Sequence, residues 1–258
     1  MKVEYRAIDL ALASGKKAYF ASDFHFGIPD AESSLLREKR VVAWLDGIAT
    51  DAAAVFLQGD LFDAWIEYRS VVPRGFVRFL GKLAELSDRG IKIVIFTGNH
   101  DLWMSGYLEQ EIGAVVHHDI QAYTIGKQRF LLGHGDGVSV REQPYRLMKG
   151  LFRNPLSQWI YKGLHPNIGV GIANYFSRRG LKHKAGGEPL KPDAEEYQWE
   201  FVEDVLKNRA FDYIILGHRH IAQYRSLQSG AVFVNLGDWF KQDTHAVFDG
   251  EVLRLINY

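Results

Sequence analysis

The sequence predicts a layered α/β (α+β) fold, and three observations predict it. Short apolar, β-branched and aromatic runs alternate with longer stretches of helical spacing. The 258 residues are 47% apolar and 24% charged, which suffices to bury the core of such a fold. Six of the apolar runs end in polar residues rich in Gly, Asp, Asn and His: YFASDFH, VFLQGD, IVIFTGNHD, RFLLGHGD, YIILGHRH and VFVNLGDW. In open α/β sheets ligands bind beyond the carboxyl ends of the strands, so these endings are expected to meet in one crevice.

In chain order, strands are expected at Lys17–Ser22, Ala54–Gln58, Ile91–Thr97, Arg129–Leu132, Tyr213–Leu216 and Ala231–Leu236. Two more, at His245–Phe248 and Val252–Ile256, are expected to finish a sheet edge. Helices are expected over Ser33–Thr50, Pro73–Arg89 and Asp193–Ala210. In the second, Phe76, Phe79, Leu80, Leu83 and Leu86 recur at helical spacing and read as core. Arg141–Pro192 lacks strand signals and reads as short helices broken at Pro155, Pro166 and Gly180. Residues 1–140 and 193–258 are therefore expected to form the core. Residues 141–192 form a basic helical insertion or cap, not an independent domain.

Lys plus Arg and Asp plus Glu each number 31, so the net charge is zero and a uniformly basic, histone-like protein is excluded. The absence of Cys excludes disulfides, thiolate metal ligands and thiol nucleophiles. The first residues carry charges within a short apolar stretch and do not read as a secretory signal. No apolar run reaches the ~18 residues of a bilayer span. The expected location is cytoplasmic.

The strand ends gather Asp23, His25, Asp60, Asn99, His100, His134, His218 and His220. Asp23 and His25, like His218 and His220, are two residues apart and would share one side of a strand. Gly precedes Asp60, Asn99, His134 and His218, where a strand must turn sharply and let backbone approach a bound ion. Carboxylate, amide oxygen and imidazole together suit Mn, Fe or Zn better than Ca. Each motif alone is weak, since Gly-Asp is common in turns. Their conjunction predicts a metal centre. His117, His118, His165, His183 and His245 lack this context and read as structural. Asp63 and Asp101 read as helix-start or hydrogen-bonding groups near the centre, and Gly237-Asp238 as a turn.

Asp23-Phe24-His25, Gly59-Asp60, Gly98–Asp101, Gly133-His134 and Gly217–His220, in this order, resemble the motif set of the calcineurin-like metallophosphoesterases. The resemblance covers roughly residues 18–220 and implies a four-layer α/β/β/α sandwich. It further implies two divalent ions: one on Asp23, His25, Asp60 and His220, the other on Asp60, Asn99, His134 and His218, with Asp60 bridging. Such a pair activates a hydroxide and clamps the oxygens of a phosphoryl centre. His100, offset by one residue from Asn99, would face substrate as a general acid or a positive charge, or else orient a neighbour.

The insertion bears on the substrate. It holds ten basic and two acidic residues, a charge of +8, and the remaining chain balances it at −8. Apolar residues are interleaved at helical spacing: Leu147, Met148, Leu151, Phe152, Leu156, Trp159, Ile160 and Leu164, then Ile168, Val170, Ile172, Tyr175 and Phe176. Such a cap can lie on an anionic membrane and receive acyl chains, line a nucleic-acid channel, or pack its apolar face on the core. Apolar helices beside a phosphoesterase site favour lipid, and no nucleic-acid partner is expected. GDLFDAW, HGDG followed by Tyr145, and the basic insertion resemble the UDP-2,3-diacylglucosamine pyrophosphatases of lipid A biosynthesis. That resemblance implies hydrolysis of a UDP-linked diacylated glucosamine, dependence on Mn²⁺ (with Fe, Zn or Co chemically possible), and peripheral attachment to the inner membrane of a Gram-negative bacterium. Tyr145, eleven residues after His134, would contact substrate, as would Arg178 or Arg179. Enteric members carry Arg where this chain has His100, which leaves open a related phosphodiesterase or phosphatase acting on another lipid or nucleotide, or a non-catalytic docking scaffold on the same fold.

Overall fold

The computed structural model describes residues 5–139, 142–185, 193–208 and 210–258, leaving out the side chains of 176, 178–185, 193–197 and 208. The strands are β1 (Ala7–Leu10), β2 (Lys17–Ala21), β3 (Ala52–Gln58), β4 (Lys92–Phe96), β5 (Val115–His117), β6 (Gln121–Ile125), β7 (Gln128–Leu132), β8 (Tyr213–Leu216), β9 (Ala222–Ser226), β10 (Val232–Leu236), β11 (Thr244–Phe248) and β12 (Leu253–Asn257). The helices are α1 (Ala31–Ile48), α2 (Val77–Asp88), α3 (Tyr107–Ile112), α4 (Gln143–Arg153), α5 (Pro155–Lys162), α6 (Pro166–Ala185) and α7 (Asp193–Asn208).

Two six-stranded sheets form, in the orders β12-β11-β2-β3-β4-β5 and β1-β6-β7-β8-β10-β9. Strict alternation along their central strands explains the layering. In β2, β3 and β4, Tyr19, Val55, Leu57, Ile93 and Ile95 meet Val41, Trp44 and Leu45 of α1 and Phe79, Leu83 and Leu86 of α2. Their neighbours Phe20, Phe56, Val94 and Phe96 point the other way, against Phe130, Leu132, Ile215 and Val234 of the second sheet. The second sheet's outer face, with Leu131, Ile214, Leu216 and Phe233, takes Val202 of α7. The result is the four-layer α/β/β/α sandwich.

Local chemistry accounts for the differences from expectation. α1 begins two residues early because Asp30 caps it, accepting the Ser33 N–H at 2.8 Å. α2 begins four residues late. Gly75 and Phe76 both have positive φ, 114° and 58°, and no helix passes through them. α6 runs straight through Gly180, because one glycine costs a helix only ~1 kcal/mol. β12 lies at a sheet edge as expected, whereas β11 sits inside, between β12 and β2.

His245 packs in the core, 7% exposed, beside Trp44 and Tyr19, and its Nδ1 has no hydrogen-bond partner. Burial pushes its pKa down to about 4. An unfolded histidine titrates near ~6.5, so between these values the unfolded chain holds the extra proton. Stability from this group is complete above pH ~6.5 and is lost as pH falls toward ~4. The parent is expected to lose about 2 kcal/mol more than His245→Phe over that window. Denaturant melts of both proteins at pH 7 and 4.5 check this, and identical losses would refute it.

Six strand ends share one rim of the sandwich. β2, β3 and β4 are parallel neighbours in one sheet, as are β7, β8 and β10 in the other. Their carboxyl ends carry the polar motifs.

Candidate metal centre

The loops leaving these strands are stitched to one another by backbone hydrogen bonds. Asp23 N–H donates to the Gly59 carbonyl (3.0 Å), His25 N–H to the Asp60 carbonyl (2.9 Å), and Gly217 N–H to the His134 carbonyl (2.9 Å). Such close packing leaves no room for Cβ atoms. One added to Gly98 would overlap Asp60 Oδ1, and one added to Gly217 would come within 2.6 Å of Asp23 Oδ2 and Ser22 Oγ. Asp23, His25, Asp60, His218 and His220 all adopt left-handed φ, between 45° and 69°. Non-glycine residues held there cost roughly 1–3 kcal/mol each, and such strain concentrates at functional sites.

All eight residues expected at the crevice are brought together. Asp60 Oδ2 lies 3.4 Å from His25 Nε2 and 3.3 Å from His134 Nε2, while its Oδ1 accepts the His100 N–H at 2.9 Å. Asp23 Oδ1 lies 3.4 Å from His220 Nε2 and 3.7 Å from His25 Nε2. Asn99 Oδ1 is 3.3 Å from His134 Nε2, and the His134 and His218 rings are 5.0 Å apart. Two groups, Asp23–His25–His220 and Asp60–His134–His218, each offer ligand atoms within 4.8 Å of one another. A third comprises His25, Asp63 and His100.

These residues fit divalent cations. Asp23 Oδ1 and His25 Nε2 are buried without a hydrogen-bond partner, as lone pairs reserved for a cation would be. Burial alone would raise the Asp60 carboxyl, yet His134, His100 and His25 together hold it well below the usual carboxylate range. Asp23 is likewise held low by His220 and His25 against its burial. His100 is pushed up to about 9, because Asp60 and Asp63 outweigh burial. His218 is pushed down to about 3 by burial and by His134.

Surrounding groups orient this set. His100 Nδ1 meets the Asp63 carbonyl at 3.0 Å, leaving Nε2 as the nitrogen available to a ligand. His134 Nδ1 meets the Gln58 carbonyl at 2.9 Å, which turns its Nε2 toward Asp60. Asp101 accepts the N–H of Gly98 (2.7 Å), Leu61 (2.8 Å) and Asp60 (3.3 Å). Asp101 thus hydrogen-bonds beside the centre rather than starting a helix, whereas Asp63 offers His100 its backbone carbonyl and keeps a buried Oδ1 without a hydrogen-bond partner. Asp238 does form its expected turn, accepting from Phe240 and Lys241, but its Oδ2 also lies 3.4 Å from His220 Nδ1. The signal was present: Asp238 too follows a Gly at a strand end.

Arg37, unmarked in the sequence, is buried in α1 and donates to the carbonyls of His25 (2.8 Å) and Ile28 (2.5 Å). Tyr145 stands at the rim. Its hydroxyl donates to buried Asp136, two residues after His134, and Lys149 Nζ reaches the same oxygen at 2.5 Å. The side chains of Arg178 and Arg179 lie outside the described residues.

A family model described as calcineurin-like phosphoesterase matches residues 16–222. The UDP-2,3-diacylglucosamine hydrolase of Porphyromonas gingivalis is 42% identical over 254 residues, covering 93% of this chain and 96% of that protein. The protein of the same name from Pseudomonas entomophila is 36% identical over 201 residues, covering 76% and 81%. Among solved structures, vacuolar protein sorting 29 of Cryptosporidium parvum matches with a TM-score of 0.45 at 12% identity, covering 95% and 100%. The chain is a hydrolase and belongs to the calcineurin-like phosphoesterase family, whose divalent metal ions the crevice residues fit.

Proposed function

We propose that the protein cleaves the pyrophosphate of UDP-2,3-diacylglucosamine with two divalent cations, releasing UMP and 2,3-diacylglucosamine 1-phosphate. The carrying observation is a cation-fitting crevice beside an outward-turned apolar surface. Relatives named for that lipid substrate support it.

Asp23, His25, Asp60 and His220 would hold one ion, and Asp60, Asn99, His134 and His218 the other. Mn²⁺ is the expected ion, though Fe, Zn and Co accept the same donors. When bound, the pair supplies a water of lowered pKa and positive charge for the phosphoryl oxygens. His100, its Nδ1 on the Asp63 carbonyl and its charged form favoured, would present Nε2–H to a phosphoryl or leaving oxygen.

Residues 141–192 would form the cap that receives the lipid. Lys149 turns inward onto buried Asp136, while Arg153 pairs at the surface with Asp119 and the His118 carbonyl. Trp103 Nε1 donates to the Phe152 carbonyl at 2.9 Å, tying α4 beside the Asn99–His100 loop. Leu147, Leu151, Leu156, Trp159 and Ile160 point outward and are between 60% and 78% exposed. Apolar residues massed this way mark a contact surface. Next to a phosphoester site we read it as the face for acyl chains and an anionic membrane, with Tyr145 and Arg178 or Arg179 as substrate contacts. Among the described residues no helix is long and apolar enough to cross a membrane.

Purified protein loaded with Mn²⁺ is expected to release UMP from UDP-2,3-diacylglucosamine in detergent micelles. No UMP at full metal occupancy, alongside brisk turnover of a simple phosphodiester, would overturn the substrate while leaving the phosphoesterase intact.

A further inference from the structure

Among the described side chains of α7, Gln198 reaches the crevice loops. Gln198 is buried, and its Nε2 donates to the carbonyls of Gly135 (3.3 Å) and Gly217 (3.1 Å). Its Oε1 accepts from Asn235 Nδ2 at 2.9 Å. Asn235, buried near the end of β10, also donates to the Gly217 carbonyl (2.8 Å), while its Oδ1 accepts the Gly237 N–H (3.2 Å). Gly135 follows His134 and Gly217 precedes His218. Two amides thus brace the loops that carry both of these histidines.

An amide on this helix face needs a reason. Among the described side chains, this face also carries Val202 and the partly buried Trp199 and Val205, packed on the sheet. A buried amide is costly unless its hydrogen bonds are made, whereas leucine would pack here without that requirement. What Gln198 provides that leucine cannot is a fixed height for two backbone carbonyls. The second proposed cation position draws Asp60 and Asn99 from one sheet and His134 and His218 from the other. The two histidines, on the loops after β7 and β8 of the second sheet, supply half of its donors, and it is these loops that Gln198 and Asn235 brace. The first position meets the braced loop at one point, where the His218 N–H donates to Asp23 Oδ2 at 3.0 Å. Its His220 has supports of its own: Asp238 Oδ2 at its ring and Gln242, which donates to its carbonyl at 2.7 Å.

We infer that Gln198 is a positioning residue: by fixing the Gly135 and Gly217 carbonyls it holds His134 and His218 in register and sets the affinity of the second position for a divalent cation. This rests on the two-cation reading above. The test is Mn²⁺ titration followed by calorimetry and electron paramagnetic resonance, on the parent, Gln198→Leu, Gln198→Glu and Val202→Ala. Both Gln198 variants lose the two donors, and the glutamate keeps an oxygen for Asn235. In both, one Mn²⁺ affinity is expected to fall ~10-fold or more with the other unchanged, and the spin-coupled signal of a paired site to weaken. In an Asp23→Asn background, which removes the first position, the remaining affinity should carry the whole loss. Val202→Ala, on the same buried face, is expected to lower the melting temperature and leave both affinities alone. If both affinities fall together, or only the melting temperature moves in the Gln198 variants, the inference is overturned. A parent that binds a single Mn²⁺ overturns the two-cation reading, and this inference with it.

Discussion

Asp60→Asn is expected to cut turnover on the order of 10³-fold or more and to reduce bound Mn²⁺ from two equivalents to at most one. The size of the effect follows from one oxygen. Asp60 Oδ2 sits 3.4 Å from His25 Nε2 and 3.3 Å from His134 Nε2, so a single atom faces both halves of the centre. Its partner Oδ1 is already committed to the His100 N–H. An asparagine can keep that hydrogen bond with its carbonyl oxygen. The amide NH₂ then points between two imidazoles, where it offers no lone pair and no negative charge. Removing Asp23 would damage one position; altering Asp60 damages both. Metal analysis and steady-state kinetics on the same preparation decide the matter. Two equivalents of Mn²⁺ with near-parent turnover would sink the bridging role.

Much of what was legible in the sequence depended on where water lies, with β6, inside its sheet yet unexpected, and β12, an expected edge strand, as the exceptions. β2, β3, β4, β7, β8 and β10 stand inside their sheets, so they read as runs of apolar residues. β1, β5 and β9 occupy or approach the opposite condition: they are edge strands, short or polar, as AQYRS is, and nothing in their composition separates them from loop. The misplaced start of α2 has a different origin. Phe76 has the right spacing for the helical stripe and packs against the core, but it does so from a left-handed turn. Periodicity records which side chains go inward, and not which backbone carries them.

The site divides along the same line. Metal chemistry demands particular side chains, so Asp23, His25, Asp60, Asn99, His134, His218 and His220 stood out after their strands. The groups that steady them act on backbone. Gln198 and Asn235 brace carbonyls, and Arg37 grips the His25 carbonyl from a helix twelve residues away. Any residue has a carbonyl to be gripped, so this work leaves no motif. Charge behaved similarly. The +8 of residues 141–192 was visible, but the inward turn of Lys149 depends on the buried Asp136, outside that segment. The apolar residues Leu147, Leu151, Leu156, Trp159 and Ile160 of α4 and α5 face out, the reverse of an ordinary surface helix.

Asp101→Leu is expected to cost the fold about 2–4 kcal/mol and to depress turnover as well, although Asp101 is not a proposed cation ligand. Its carboxylate accepts N–H groups from two loops: Gly98 in the β4 loop, and Leu61 and Asp60 in the β3 loop. The side chain is fully buried, so leucine leaves these donors without acceptors, at roughly 1–3 kcal/mol for each lost bond. One effect opposes this. Burial and the nearby Asp60 charge push the Asp101 carboxyl up to about 7, and removing it relieves that repulsion. The net figure allows for both. Asp101→Asn separates them, because it removes the charge and keeps one acceptor oxygen. It should therefore be markedly less destabilising than Asp101→Leu when both are unfolded in denaturant without metal. The turnover loss has the same root, since the two loops carry Asp60, Asn99 and His100. If leucine and asparagine cost the same, the stabilising element is charge rather than the shared hydrogen bonds, and the loops must be held together by their apolar flanks.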